Sequence, residues 1–301
     1  MSLNTVHVLF CCDPGYAQHL CVAIISMLEN NPASQFDIVV VSREDFGDAG
    51  RRVARSVARY GNFDLRFEVF SPPKDLTLPV RAHYSLDTYS RLWLADFFPT
   101  SVERVLYLDS DLIVVGDIQE LWATDLGGNL LAAASIPGST KCEFLAIPES
   151  YGYFNAGVIL TDLRQWRETR AVDELVAFVA ANPDKLVDVD QDVLNACFYK
   201  RRAKLSYIWN VISPFYFPHH PLGLSQDEIQ RVRRDARIVH FNGASKPWSY
   251  MSRHPRRDDY LSYLKLSEWR DYVPTDRTLS NMTKKQMARI VPRWLVRALR
   301  S

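Results

Sequence analysis

Hydrophobic positions along this chain fall into short unbroken apolar runs, separated by stretches with helical spacing. Residues 6–10, Val-His-Val-Leu-Phe, read as a first buried strand, and a turn follows at Asp13-Pro14-Gly15. Leu20, Ala23, Ile24, Met27 and Leu28 then recur at helical spacing as far as Asn30-Asn31-Pro32. Residues 38–41 and 65–70 read as further strands, with a helix over 51–60 between them. Apolar runs near 105–108, 130–134 and 158–161 continue the alternation. Strands alternating with helices predict βαβ units, and runs apolar on both faces predict a mainly parallel sheet covered on each side. The pattern is carried to about residue 250, beyond which the chain turns polar and basic. The expected organisation is one α/β domain over 1–250, an extension over 251–275 packed on it, and a basic amphipathic tail over 276–301.

Composition narrows the function classes. The chain has 301 residues, 47% of them hydrophobic, which is ample for a core of this size. Its net charge of +1 argues against bulk nucleic-acid affinity. The five cysteines form no C-x-x-C pair, which points to reduced thiols and a cytoplasmic chain. Residues 1–5 show no signal-peptide pattern, and no run of about 20 apolar residues exists to span a bilayer.

Four segments carry chemistry. The apolar run at 105–108 ends in Asp109-Ser110-Asp111. Side chains at i and i+2 of an extended chain share a face, so both carboxylates can converge on one hard cation at a strand's carboxyl end. Two carboxylates cannot cage such an ion alone, so waters and substrate phosphates would complete its shell. A pair of this kind also occurs as a turn or capping pair. The second segment runs from Tyr153 to Leu160. Its Asn155 can donate to and accept from a sugar hydroxyl, and Gly157 permits close backbone approach; a plain turn before a strand is the alternative. In the third, Asp188 or Asp190 could cap a helix beginning near Asp192, whereas Gln191 beside two carboxylates fits a site that orients several hydroxyls. The fourth places His240, Gly243 and Lys246 within seven residues: an imidazole for a transition ion, an open backbone and a positive charge for a diphosphate.

The order of these segments, together with Phe10-Cys11-Cys12-Asp13-Pro14-Gly15-Tyr16-Ala17 and Thr88-Tyr89-Ser90-Arg91-Leu92, resembles the glycosyltransferase family 8 enzymes. That family includes bacterial lipopolysaccharide α-galactosyl- and α-glucosyltransferases and the glycogenins. The resemblance runs from Val6 to about Trp248. It implies a GT-A fold: a single α/β domain with a mainly parallel, Rossmann-like nucleotide-binding sheet, here followed by the basic helical tail. It implies a retaining, metal-dependent hexosyltransferase that moves galactose or glucose from a UDP-hexose to an oligosaccharide or lipid-linked glycan, such as a lipopolysaccharide. Asp109, Asp111 and His240 would hold Mn²⁺ or Mg²⁺. Asp13 and Tyr16 match the uracil contacts, and Arg91, Asp109, Ser110 and Asn155 the donor contacts. Gly243 and Lys246 match the diphosphate contacts. Asp190 and Gln191 match the pair beneath the transferred sugar, with Asn155 and Arg91 as their catalytic companions. Trp248 is expected to pack behind the diphosphate loop. Pro14 and Gly15 depart from the family pattern, which commonly has polar residues there, and so loosen the expectation of uridine selectivity.

Retention admits two routes. Gln191 is a poor nucleophile because an amide oxygen is weakly basic, so attack from the face of the departing diphosphate is favoured over double displacement. A haloacid-dehalogenase-like phosphohydrolase also begins with strand and Asp-x-Asp, but in its first strand, and it leaves the Asn155, Gln191 and His240 clusters unexplained. A non-catalytic, membrane-bound sugar-nucleotide scaffold is the remaining alternative.

Residues 283–301 carry Lys284, Lys285, Arg289, Arg293, Arg297 and Arg300 and no acid. Met287, Ile290, Val291, Trp294, Leu295, Ala298 and Leu299 recur at helical spacing. This predicts a basic amphipathic helix, kinked or restarted at Pro292, that either docks on the domain or lies on an anionic membrane through residues 283–300. The expected location is the cytoplasm, peripherally on the inner membrane face. Residues 79–86, with His83 and Tyr84, resemble in position the family's acceptor-site loop, a plain connection being the alternative.

Overall fold

The computed structural model describes residues 5–73, 76, 78–79, 86–218 and 221–290. Among the described residues nine strands lie at Val6–Cys11 (β1), Phe36–Ser42 (β2), Phe63–Val69 (β3), Arg104–Leu108 (β4), Leu112–Val114 (β5), Leu131–Ser135 (β6), Phe154–Asp162 (β7), Arg202–Leu205 (β8) and Ile238–His240 (β9). The α-helices are Ala17–Asn30 (α1), Gly47–Val57 (α2), Gln119–Trp122 (α3), Lys141–Phe144 (α4), Leu163–Glu168 (α5), Ala171–Ala181 (α6), Val189–Phe198 (α7), Gln226–Arg234 (α8), Arg257–Leu264 (α9) and Leu279–Ile290 (α10).

Seven strands form one sheet in the order β3-β2-β1-β4-β7-β6-β8. β1, β2, β3 and β4 run parallel, as do β6 and β8. β7 is antiparallel to both its neighbours, β4 and β6. The sheet is thus mainly parallel, as expected. β7 departs because the segment joining it to β6 holds only the short α4 and makes no crossover, so the two strands return like a wide hairpin. Alternation along each strand explains the layers. Val6, Val8, Phe10, Leu106 and Leu108 face α1 and α2, whereas Leu9, Cys11, Val105 and Tyr107 face the opposite layer, built from residues 86–98 and α5–α7. Both faces are buried, which is why these strands read as continuous apolar runs.

Three boundaries differ from expectation by three residues or more. The helix expected at 51–60 begins at Gly47 and ends at Val57. The helix expected near Asp192 begins at Val189. The strand expected at 158–161 extends back to Phe154 and takes Asn155 and Gly157 into the sheet. The segment carrying the T-Y-x-R-L residues is 3-10 helical over Leu86–Phe97, kinked at Trp93.

A small antiparallel ribbon, β5 with β9, aligns Leu112 with His240. Beyond it, α9 packs on α1, where Gln18 donates to the Tyr260 hydroxyl at 3.3 Å and His19 Nδ1 lies 2.7 Å from it. Residues 80–85, including His83 and Tyr84, and residues 291–301, including Pro292, Arg293, Trp294, Leu295, Arg297, Ala298, Leu299 and Arg300, lie outside the described residues. Among the described residues no helix is long and apolar enough to cross a membrane.

Candidate active site

A cleft of about 930 Å³ opens at the carboxyl ends of β1 and β4. The twelve residues expected as metal, donor or catalytic contacts line it: Asp13, Tyr16, Arg91, Asp109, Ser110, Asp111, Asn155, Asp190, Gln191, His240, Gly243 and Lys246. They come from six chain segments.

The metal-type cluster is assembled by β4, the ribbon and β7. Asp109 continues the face of Tyr107, whose hydroxyl donates to its Oδ1 at 2.7 Å. Asp111 enters β5, and its carbonyl accepts from Phe241 N–H at 2.8 Å, which brings the ends of β4 and β9 together. His240 Nε2 lies 3.0 Å from Asp111 Oδ1 and 3.5 Å from Asp109 Oδ2. One ligand atom from each of the three residues lies within 4.8 Å of the other two. Burial would raise the Asp111 carboxyl, but Lys246 and His240 outweigh it and hold it well below the usual carboxylate range. Gly157 leaves room: a Cβ there would stand 2.3 Å from His240 Cε1 and 2.6 Å from Asp109 Oδ2. Two carboxylates and an imidazole around a cradle that only glycine keeps open fit a divalent cation. Lys246 Nζ donates to Asp111 Oδ2 at 2.6 Å and to the Phe241 carbonyl at 2.9 Å, leaving one N–H for the cleft. Gly243, at φ +87°, makes the turn between His240 and Lys246.

Arg91 ties this cluster to the floor. Its Nη2 donates to Asp109 Oδ1 at 3.0 Å and its Nη1 to the Ala156 carbonyl at 2.7 Å. Its guanidinium sits 4.2 Å over the Tyr107 ring. Arg91 Nε is 2.8 Å from Asp190 Oδ2, yet its N–H is aimed at the Thr88 carbonyl. The contact is therefore an ion pair without an aligned hydrogen bond, and Asp190 Oδ2 is a sealed oxygen with no donor directed at it. Burial pushes the Asp190 carboxyl up to about 6 against the pull of Arg91.

Gln191 is engaged at both ends. Its Oε1 accepts from Asn155 Nδ2 at 3.0 Å and from Ala156 N–H at 2.9 Å, while its Nε2 donates to the Tyr153 hydroxyl at 3.0 Å. Asp188 occupies the cap position of α7 but makes no side-chain cap; Asp192 Oδ2 instead accepts from Asp188 N–H at 2.6 Å. Val189 lies at φ +43°, a conformation that a β-branched residue adopts only under constraint, and Asp190 and Gln191 follow it directly.

At the other end of the cleft, Asp13 Oδ1 accepts from Gly15 N–H at 2.9 Å. A Cβ at Gly15 would stand 2.8 Å from that oxygen, so glycine permits this tight turn. Tyr16 packs edge-on against His19 and Trp248 at 5.0 and 6.1 Å, and Trp248 stacks on His19 at 3.6 Å. Trp248 therefore backs the Lys246 loop, as expected.

Sequence reasoning missed four supports: Tyr107, Tyr153, Asn195 and Asn210. Tyr107 shares the i, i+2 register with Asp109 and was legible. Asn195 accepts from Phe154 N–H at 2.8 Å and donates to the Phe154 carbonyl at 2.9 Å, pinning α7 to β7. It meets β7, and Asn210 meets Asn155 and His240, across the fold, where no local spacing marks them.

Residues 7–252 match the family model described as Glycosyl transferase family 8. The chain is 28% identical over 273 residues to General stress protein A of Bacillus subtilis (strain 168), covering 88% of this chain and 94% of that one. It is 25% identical over 286 residues to a lipopolysaccharide 1,2-glucosyltransferase of Escherichia coli (strain K12), covering 91% and 83%. The crystal structure of the galactosyltransferase LgtC in complex with donor and acceptor sugar analogues superposes with a TM-score of 0.75 at 25% identity, covering 90% of this chain and 98% of that one.

Proposed function

The chain belongs to glycosyl transferase family 8 and is a glycosyltransferase, and from that premise we propose that it transfers galactose or glucose with retention from a UDP-hexose to a saccharide of lipopolysaccharide or another lipid-linked glycan. One observation carries the reading: Asp109, Asp111 and His240 converge within 4.8 Å on the cleft that Tyr16, Lys246 and Gln191 also line. Asp109, Asp111 and His240 would hold Mn²⁺ or Mg²⁺. Such an ion disperses the charge that develops on a departing diphosphate. The N–H of Lys246 not spent on Asp111 or Phe241 would serve the same oxygens, and Tyr16 would offer an aromatic face for the base. Arg91 holds Asp109 by Nη2 and Oδ1, so the other carboxylate oxygen faces His240.

The floor of the cleft supports attack from the diphosphate face. Both acceptor positions of Gln191 Oε1 are filled, and Asp190 Oδ2 is sealed beside Arg91. Gln191 therefore presents no open acceptor position to an anomeric carbon, and a covalent glycosyl-Gln191 would need it to break its contacts first. A diphosphate oxygen would then take the acceptor hydroxyl's proton. The lipopolysaccharide glucosyltransferase among the relatives supports the acceptor class. Lys284 together with exposed Leu279, Met282 and Met287 on α10 supports peripheral attachment to an anionic, cytoplasm-facing membrane.

A donor screen tests the reading. UDP-galactose, UDP-glucose, UDP-N-acetylglucosamine and GDP-mannose would be compared by Mn²⁺-dependent thermal shift, then by hydrolysis and transfer. A UDP-hexose should stabilise the protein most and release UDP. Asp111→Asn should abolish both effects while the fold is kept. Near-native turnover of that variant, or cleavage of a simple phosphomonoester in place of a sugar nucleotide, sinks the proposal.

A further inference from the structure

A buried hydrogen-bonded chain joins the sugar side of the cleft to the metal side, and its polarity can be read without ambiguity. A backbone N–H can only donate. Gly157 N–H lies 3.0 Å from Asn155 Oδ1, and Ala156 N–H lies 2.9 Å from Gln191 Oε1. These two amides fix which end of each side-chain amide is oxygen. Asn155 Oδ1 also faces Asn210, which must therefore present its Nδ2, at 2.8 Å. Asn210 Oδ1 is left facing His240 Nδ1 at 3.0 Å. An acceptor at Nδ1 requires His240 to carry a proton there, which leaves Nε2, 3.0 Å from Asp111 Oδ1 and 3.5 Å from Asp109 Oδ2, as the nitrogen that would ligate a cation.

Asn210 is suited to this task. It is 2% exposed and lies just after the short 3-10 turn Tyr207–Trp209, with its N–H bonded to the Tyr207 carbonyl at 3.0 Å. The next residue, Val211, accepts from His240 N–H at 3.1 Å and donates to the Ile238 carbonyl at 2.9 Å. Backbone pairing thus holds Asn210 beside β9 whatever its side chain does.

We propose that Asn210 is a positioning residue that relays the orientation set by the Ala156 and Gly157 amides from Asn155 and Gln191 to His240, fixing the imidazole tautomer for cation binding and locking the metal and sugar halves of the site together. The proposal rests on the functional reading above for the cation's identity, but the relay itself is a property of the protein alone. Metal ligation by imidazole depends on an acceptor of this kind at the other ring nitrogen, and its loss typically costs about 10–100-fold in metal affinity.

The test uses two variants and two readouts besides turnover. In metal-free protein, long-range ¹⁵N–¹H spectra of labelled histidine should show His240 carrying a proton at Nδ1. Asn210→Leu keeps size and removes polarity. It should mix or switch the tautomer and weaken Mn²⁺ binding, followed by electron paramagnetic resonance of the free ion, about 10–100-fold. Asn210→Asp still accepts from Nδ1 but cannot donate to Asn155. It should keep the tautomer and the Mn²⁺ affinity while kcat falls about tenfold or more. The relay is overturned if wild-type His240 is protonated at Nε2 alone, if folded Asn210→Leu keeps the tautomer and affinity, or if Asn210→Asp loses Mn²⁺ as the leucine variant does. Should Asn210→Leu fail to fold, the wild-type spectrum and the aspartate variant decide the matter. If wild-type protein binds no Mn²⁺ and transfers no sugar, the functional reading fails, and the tautomer comparison still judges the relay.

Discussion

Gly157 shows how one missing carbon shapes the site. A methyl group there would press on His240 and Asp109 from 2.3 and 2.6 Å. Overpacking of this size typically costs about 1–3 kcal/mol, and here the atoms forced to move are candidate ligands. Gly157→Ala should therefore lower the melting temperature modestly but lose Mn²⁺ binding by more than tenfold, measured by titration calorimetry. A variant that binds the ion normally would show that the cradle is not used. Asp190 poses a different question. Its carboxyl, raised to about 6 by burial, is costly to ionise in the folded protein. The sign follows from linkage: the cost is absent below about pH 4, where folded and unfolded chains are both protonated, and complete above about pH 6. At most it amounts to about 3 kcal/mol. Asp190→Asn removes it, so the variant's stability relative to wild type should climb between about pH 4 and 6.5 in denaturant titrations, whatever offset the lost ion pair adds. A flat difference across that range contradicts the assignment.

Between elements, Arg91 is the principal clamp. The 3-10 segment Leu86–Phe97 reaches β4 through Asp109, β7 through the Ala156 carbonyl and α7 through Asp190, all by one guanidinium that is 5% exposed. Removing one partner of a buried charge network leaves the others uncompensated, at about 3–5 kcal/mol. Arg91→Met should destabilise by that order in urea. Arg91→Lys should recover little, because an ammonium cannot reproduce the planar fork that meets these partners at once. A methionine variant within about 1 kcal/mol of wild type would mean the clamp is dispensable. The strained start of α7 belongs to the same scale. Val189 holds a left-handed conformation where Asp190 and Gln191 must turn toward β7, and Asn195 then secures the helix to Phe154.

For the molecule as a whole, the open matter is what the C-terminal helix does. Asp276 accepts from Tyr250 and Met251 N–H at 2.7 and 3.0 Å, so the chain up to that residue is tied into the domain. Past it, α10 leaves Leu279 83% and Met287 57% exposed. A chain ending at Thr278 should stay folded and keep activity on a soluble saccharide acceptor. It should lose affinity for vesicles containing anionic lipid, and full-length binding should weaken as salt rises, since exposed charges are screened over about 8 Å at physiological ionic strength. If the shortened chain melts far lower, or sediments with vesicles as well as the full chain, the helix belongs to the core and the membrane proposal fails.

Local pattern determined the layers and the roster of the cleft. Two-sided apolar strands can only be buried between helices, and Asp109 and Asp111, His240 and Lys246, and Asp190 and Gln191 each announce themselves within a few residues of chain. Tertiary structure alone decided how those groups are used. Whether Gln191 is open or spent, which oxygen of Asp190 is sealed, and which nitrogen of His240 carries the proton depend on the backbone amide at Ala156, on Arg91 and on Asn210. Those partners lie dozens of residues away along the chain. Periodicity reports which face of an element is buried; hydrogen-bond direction is set by what the fold brings opposite, and no local spacing encodes it.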